Sequence, residues 1–374
     1  MITKTSPIPL YIQISNYLRS AIERGLFKAD ERIPSELELA GRYQVNRLTA
    51  RKAITTLVEA GLLYRVHGKG TFVAPHSQRG TIGLAQPFIS FVAPFLYDYY
   101  QMEIISGLET VLKDSGYRLV VCNSNHDSKE EARLLFEQQQ SGSQGVVLFP
   151  TDDCNAQTLV SLRQEKFPFV LVDRYLADLD CDYVVSDNFG GAYNIVTHLV
   201  EHGHRKIAFL SQENPCSAVV ERFQGYRQAL ADAKIQQEFT YAKLPELGGV
   251  YKANLTKQYI KLLGEYLRQT SVSAIFAQND MIALEVMRVA KMLKIAVPQQ
   301  IAVVGFDDMP YGGSLTLTTV AQRRVEIGRQ AGKALLAKLH GQESRSHVVV
   351  PTKMMIRESC GCEAELLRSQ AGIE

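Results

Sequence analysis

The chain has 374 residues, 46% apolar and 21% charged, the proportions of a globular protein. That length is too great for one ordinary domain and enough for two or three. The net charge of +2 hides an asymmetry: residues 1–75 carry 11 Lys+Arg against 6 Asp+Glu, and the remainder 30 against 33. No apolar run is long enough to span a membrane, and the N-terminus shows no signal-peptide core, so a cytoplasmic site and no membrane partner are expected. The six cysteines, at 122, 154, 181, 216, 360 and 362, show no paired spacing of a zinc site and read as reduced thiols, with metal binding or redox sensing by the Cys360–Cys362 pair as the lesser alternative; no metal and no cofactor are expected.

In chain order, a first helix is expected from Tyr11 to Arg24, with Ile12, Tyr17, Leu18, Ala21 and Ile22 inward and Gly25 as its stop. Ser35 caps a second helix, with Glu38 placed to complete a capping box and Leu37, Leu39, Ala40 and Tyr43 as the apolar face. After a break at Gln44-Val45-Asn46, a third helix buries Ala50, Ala53, Ile54, Leu57 and Val58. Its other face carries Arg47, Thr49, Arg51 and Lys52, and Gly61 ends it. Leu62–Val66 and Thr71–Val73 read as strands joined by the tight turn His67-Gly68-Lys69-Gly70.

Two short helices across a tight turn, the second basic at its start, are helix-turn-helix chemistry, and such a helix enters the major groove of DNA. One arginine bonding a guanine through two hydrogen bonds contributes about 1–3 kcal/mol of discrimination. A hairpin tipped by lysine between glycines can press against phosphates or a minor groove. The segment Pro9–Val73 resembles the winged helix-turn-helix domain of the GntR family of bacterial transcription regulators, through PLYIQISNYLRSAIERG, IPSELELA, NRLTARKAI and GLLYRVHGKGTFV. It departs at Leu37, where the family often has Asn or Arg, and at Asn46, where Ser or Thr is usual. The candidate DNA contacts are Ser35, Glu36, Asn46, Arg47, Thr49, Arg51, Lys52, His67, Gly68, Lys69, Gly70 and Thr71.

Pro75–Pro87 has no periodicity and reads as a linker. Strands and amphipathic helices then alternate. Strands are expected at 89–93, 117–122, 145–149 and 169–172, with helices at 102–113, 129–140 and 156–165. A second set has helices at 191–202, 221–233, 256–268 and 281–293 and strands at 206–210, 274–277 and 301–305. The stretch 240–255 is unclear, and 316–320 and 348–350 look like closing strands. Alternation of this kind predicts parallel sheets covered on both faces, and two successive units predict two lobes with a ligand cleft between them.

This part resembles the effector domain of the LacI/GalR family, built like periplasmic sugar-binding proteins. The motifs are VLVDR (170–174), VVSDNFGGAY (184–193), HLVEHGHRKIAFL (198–210), ERFQGYRQAL (221–230), AIFAQND (274–280), VPQQIAVVGFDD (297–308), LTTVAQ (317–322) and RESCGC (357–362). The resemblance implies an α+β winged helix-turn-helix domain over 1–74, a linker over 75–87, and an α/β two-lobed periplasmic-binding-protein-like domain over 88–362, with two doubly wound parallel sheets. Lobe one would take about 88–185 and 320–344, lobe two about 186–319 and 345–362, and 363–374 would be a tail. A GntR-type reader on a LacI-type sensor is the arrangement of the arabinose-responsive repressors of Gram-positive bacteria.

A sugar site needs carboxylates, amides and guanidinium groups at strand ends and an aromatic face for the C–H side. By resemblance, Asp173, Arg222, Asn279, Asp307 and Gln322 fall on pocket positions. Phe95, Tyr97, Tyr99 and Tyr100, in the loop after the first sensor strand, are candidates for stacking. Asp187 and Asn188 read as a helix cap, Asp280 as either cap or ligand contact, Asp308 as structural, and Arg174 as pairing with a carboxylate across the lobes. No P-loop, G-x-S-x-G or HExxH is present, so no catalytic residue is assigned. The expected function is a dimeric DNA-binding regulator on a pseudo-palindromic operator. It would repress carbohydrate genes and be released by a sugar, with a pentose such as arabinose favoured by the resemblance. A purine or other metabolite as effector, activation rather than repression, and a sugar-binding module whose DNA domain has lost function remain open alternatives.

Overall fold

The computed structural model describes residues 10–23, 26–59, 61–66, 69–74, 87–96, 99–213, 215–236, 239–244, 257–310, 316–342 and 346–362. His67, Gly68, linker residues 75–86, Tyr97, the Gly248-Gly249 stretch and the tail 363–374 lie outside them. The chain divides into two compact units, Met1–Gln86 and Pro87–Glu374.

The first unit has α1 (Leu10–Glu23), α2 (Glu36–Tyr43), α3 (Arg47–Glu59), β1 (Leu63–Val66) and β2 (Gly70–Val73). Its core gathers Ile14, Leu18 and Ile22 of α1 with Leu39, Ala50, Ala53, Ile54, Leu57, Leu63 and Val73. The capping box forms: Ser35 Oγ accepts from the Glu38 N–H at 3.3 Å, and Glu38 Oε2 accepts from the Ser35 N–H at 2.7 Å. Gln44 ends α2 in the left-handed conformation at φ 51°. β1 and β2 pair antiparallel, Leu63 facing Val73, and Arg32 bridges to Phe72. Two expected core positions turn out exposed, Tyr17 at 45% and Leu37 at 70%. Ile14, on the same face of α1 as Leu18, takes the inward place. Leu37 sits in the first turn of α2, where the side chain lies beyond the core edge.

The second unit contains two parallel sheets. The first runs β13-β7-β6-β5-β3-β4 and contains β3 (Phe88–Ala93), β4 (Arg118–Asn123), β5 (Val146–Leu148), β6 (Phe169–Val172), β7 (Tyr183–Ser186) and β13 (His347–Val350). The second runs β11-β10-β8-β9, with β8 (Ile207–Gln212), β9 (Phe239–Leu244), β10 (Ala274–Ala277) and β11 (Ala302–Val304). β12 (Thr319–Ala321) and β14 (Lys353–Met355) pair antiparallel, and Thr318 bridges to Val304 at the edge of the second sheet. Around the first sheet lie α4 (Tyr99–Asp114), α5 (Ser128–Gln140), α6 (Ala156–Gln164) and α11 (Arg324–Leu339). The second sheet has α7 (Asn188–Glu201), α8 (Ser217–Asp232), α9 (Lys257–Gln269) and α10 (Asp280–Met292). Strands such as Val146–Leu148 and Phe169–Val172 are wholly buried, which is why they read as continuous apolar runs. No helix of the described residues is long and apolar enough to cross a membrane.

The chain passes between the two sheets three times: at Asp187 between β7 and α7, at Gln322-Arg323 between β12 and α11, and at Pro351-Thr352 between β13 and β14. The third crossing corrects the expected lobe boundary, because His347–Val350 pairs in parallel with Tyr183–Ser186 of the first sheet rather than joining lobe two. An apolar run specifies a strand but not which sheet receives it. β7, β9, α11 and β14 were not anticipated as elements. α11 packs on α4 with almost no space between backbones: a Cβ on Gly107 would stand 1.9 Å from Val325 O, and one on Gly328 2.0 Å from Ile104 O.

Candidate functional site

In the first unit, α2 and α3 bring three guanidinium groups to one carboxylate. Glu36, at the start of α2, meets Arg47 at 3.3 Å, Arg51 at 3.1 Å and Arg65 of β1 at 3.8 Å. The Arg51 hydrogen bond and the neighbouring positive charges hold the Glu36 carboxyl below its ordinary value. The three arginines remain 46–64% exposed around it in water, where such pairs contribute about 0–1 kcal/mol. They are therefore oriented but easily exchanged for another anion. Ser35 and Asn46 spend their side-chain oxygens on helix starts, Asn46 Oδ1 accepting from the N–H groups of Leu48 (2.5 Å) and Thr49 (3.1 Å). Lys52 is exposed on α3, with its Nζ 4.1 Å over the Tyr11 ring of α1. The half-buried Thr49 is two residues beyond Arg47, about 200° round α3, while Lys69 is exposed at the hairpin with Gly70 and Thr71 following it in β2. Sequence reasoning missed Leu48, 66% exposed in the first turn of α3.

In the second unit, polar side chains converge from both sheets onto the first two crossings. Asp173 follows β6, Asp307 follows β11, Arg222 comes from α8, and Gln322 lies on the second crossing. Tyr100, buried in the first turn of α4, donates its hydroxyl hydrogen to Asp173 Oδ1. Gln322 Oε1 lies 2.9 Å from the same hydroxyl and receives a hydrogen from Ser186 Oγ at 2.6 Å. Gln322 Nε2 donates to Asp307 Oδ1 at 2.6 Å. An amide suits this position because its oxygen faces the first sheet's groups and its nitrogen the second's.

Arg222 is held on four sides. Its Nη2 is 3.5 Å from Asp307 Oδ1, its Nε donates to Asn188 Oδ1 at 2.9 Å, and its Nη1 donates to the Gln278 carbonyl at 2.6 Å. Its guanidinium carbon stands 3.7 Å over the Phe306 ring. Arg324 of α11 donates to the Asp307 carbonyl and pairs with Glu103 at 2.5 Å. Across the gap, the Tyr175 hydroxyl donates to Glu221 Oε1 at 2.8 Å, and the Tyr175 N–H donates to Ser217 Oγ at 2.9 Å.

Two physical signs set this network apart from an ordinary interior. Asp173 and Asp307 both have positive φ, 70° and 124°, which costs of order 1–3 kcal/mol each and gathers at functional sites. Burial is the main cause that lifts the Asp307 carboxyl to about 7, against the counter-pull of Arg222. Burial, followed by the Asp173 and Asp307 charges, also pushes the Tyr100 phenol well above its ordinary value. Aromatic surface lies beside these groups at the carboxyl ends of β3 and β5, where the strand order reverses. There the Phe95 ring stacks on His126 at 4.8 Å and sits 6.3 Å from Phe149.

Residues 10–73 match the family model for bacterial regulatory proteins of the gntR family, and residues 196–360 match the model for a periplasmic binding protein-like domain. The chain joins a GntR-type helix-turn-helix domain to a periplasmic-binding-protein-like domain. An arabinose metabolism transcriptional repressor of Geobacillus stearothermophilus is 27% identical over 367 residues, covering 95% of this chain and 99% of that protein. One of the same description from Halalkalibacterium halodurans is 27% identical over 374 residues, covering 93% and 96%. The crystal structure of a transcription regulator GntR from Chromobacterium violaceum superposes with a TM-score of 0.61 at 28% identity, covering 73% of this chain and 99% of that one.

Within the binding-protein-like domain, most of the sequence-selected residues come together: Tyr100, Asp173, Arg222, Asp307 and Gln322 form one connected set. Tyr99 does not join it among the described residues and is half exposed; it and Tyr100 belong to α4, which starts three residues before the expected helix. Asn279 is the N-cap of α10, its Oδ1 accepting from the Ile282 N–H at 3.0 Å. Asp280, weighed as cap or contact, is instead wholly buried, taking a 2.5 Å hydrogen bond from Thr319 and a 2.9 Å one from the Met309 N–H. Asp187 caps α7 through the Gly190 N–H at 2.7 Å, and Asp308 pairs with Arg357 at 2.6 Å. Arg174 pairs with its own neighbour Asp173 at 3.1 Å rather than across the lobes, because the positive φ of Asp173 folds the two side chains together. Asn188 was read as a cap, but its buried amide orients Arg222. Ser186, Glu221 and Arg324 were also missed; Arg324 had no signal because α11 itself went unread.

Proposed function

We propose that this chain is a sugar-responsive transcription repressor. Residues 1–74 read an operator, 75–87 link, and 88–362 sense the effector and form a homodimer in the cytoplasm. The observation that carries this reading is the Tyr100–Asp173, Gln322 and Asp307–Arg222 network, which joins donors and acceptors from both sheets at two of the chain crossings. A polyhydroxyl ligand offers alternating donors and acceptors, and it can replace these protein–protein bonds one for one. Phe95 and Phe149 supply an apolar face for the C–H side of a ring. Because Gln322 and Ser186 sit at crossings, a ligand that rebonds them changes the set of the two lobes. A coupling of about 1–3 kcal/mol is enough for a useful switch.

In the reader, Arg47 and Arg51 exchange Glu36 for base edges or phosphates, supported by Thr49, Lys69 and Thr71. The relatives described as arabinose repressors support a pentose, L-arabinose foremost, as the effector. The test is a mobility-shift titration on the promoter upstream of the gene, with a panel of pentoses and hexoses and with purines as controls. The expected result is a shift released by one sugar and retained with purines. Release by a purine alone, or no shift under any condition, overturns the reading.

A further inference from the structure

The structure assigns a second binding site in the binding-protein-like domain: His198, His202 and Cys362 form a site for a borderline-soft divalent cation of the Zn²⁺ class. His198 and His202 are one helical turn apart at the end of α7, with ring centroids 4.3 Å from each other. Cys362, 2% exposed, reaches them from the end of the chain's last described segment. One candidate ligand atom from each of the three lies within 4.8 Å of the others. Tetrahedral zinc, with bonds of about 2.0–2.3 Å, holds such atoms about 3.4–3.6 Å apart, so closure asks each pair to approach by about 1.4 Å at most.

Two further observations point to a ligand rather than to a chance cluster. His198 is 5% exposed, and its Nε2 has no hydrogen-bond partner among the described residues, a costly state for a buried ring nitrogen. The His202 Nδ1 lies 2.8 Å from the His198 carbonyl, which can only accept, so the proton is on Nδ1 and the lone pair of neutral His202 is on Nε2. A backbone carbonyl fixing the tautomer of a ligating histidine is the usual outer support of a metal site. Two imidazoles and a thiolate are a ligand set for zinc rather than for magnesium or calcium. An open depression of about 1170 Å³, lined by Glu201, His202, Cys360 and Cys362 among others, leaves a fourth position to water. Binding releases the Cys362 thiol proton to solvent, and the metal then pins the Arg357–Cys362 segment to α7.

The experiment uses the full-length protein, stripped with a chelator and titrated with Co²⁺. One equivalent per chain is expected to bind with a thiolate-to-cobalt charge-transfer band and intense d–d bands, all displaced by Zn²⁺. Cys362→Ser should abolish the charge-transfer band, and Cys360→Ser should keep it. His202→Gln, at an exposed position that tolerates the change, should weaken binding about tenfold or more. Zn²⁺ should raise the thermal midpoint of the wild type and not that of Cys362→Ser. Absence of the band at one equivalent, its survival in Cys362→Ser, or unchanged affinity in His202→Gln overturns the assignment. None of these readouts depends on which sugar or operator the protein recognises.

Discussion

The same chemistry, guanidinium on carboxylate, appears in two settings with opposite consequences. Around Glu36, three arginines gather in water, with side-chain exposures of 46–64%. Around Asp307, Arg222 is 6% exposed and the carboxylate 15%, and further hydrogen bonds hold both partners. Water makes the first cluster weak and exchangeable, as a surface that must trade one anion for another requires. Exclusion of water makes the second demanding: any partner removed leaves a charge or a polar group stranded.

The largest expected effect separates the two settings directly. Arg222→Ala strands Asp307 and uncovers Phe306, and should cost about 3–5 kcal/mol in denaturant unfolding of the sensor, together with the sugar response. A loss no greater than that of a surface pair would end the contrast. Next, Arg51→Ala should lower operator affinity by about 1–3 kcal/mol, about tenfold to a hundredfold, with an unchanged unfolding midpoint. Unchanged affinity in mobility shift would remove Arg51 from the reading face.

A pH series sharpens the comparison further. The Asp307 carboxyl is raised from 3.8 to about 7, so the folded, ligand-free protein holds a proton that the unfolded chain has lost. Its contribution to stability therefore falls as pH rises from about 4 to about 7 and is level above that. If the ligand takes the ionised form, calorimetry should show affinity rising about tenfold between about pH 6 and about pH 8, with Asp307→Asn flat. An identical slope in Asp307→Asn would place the titrating group elsewhere. The smallest effect belongs to Glu36→Gln, which should move stability by less than about 1 kcal/mol while loosening the three arginines.

Much of this protein was legible without coordinates. Capping residues, helical spacing and continuous apolar runs are local properties, and Ser35 with Glu38, the Ala50–Leu57 face and the buried strands followed from them. The residues just past strand ends were legible too, because a doubly wound sheet exposes those positions, and Asp173 and Asp307 stand there. Elements with weak local signals were lost. Arg324–Leu339 carries its helix against α4 through Gly328, a residue that discourages a helix by propensity and succeeds only through close packing.

What only the tertiary structure decided was which neighbour each side chain meets. The long-range pairings of Arg222 with Asn188, Tyr100 with Gln322, and Glu103 with Arg324 join residues 34, 222 and 221 positions apart. The convergence of His198, His202 and Cys362 is of the same kind. Pattern along a chain records what each segment prefers. Three crossings between two sheets determine which segments face each other, and through that which carboxylate is shielded and which imidazole lacks a partner.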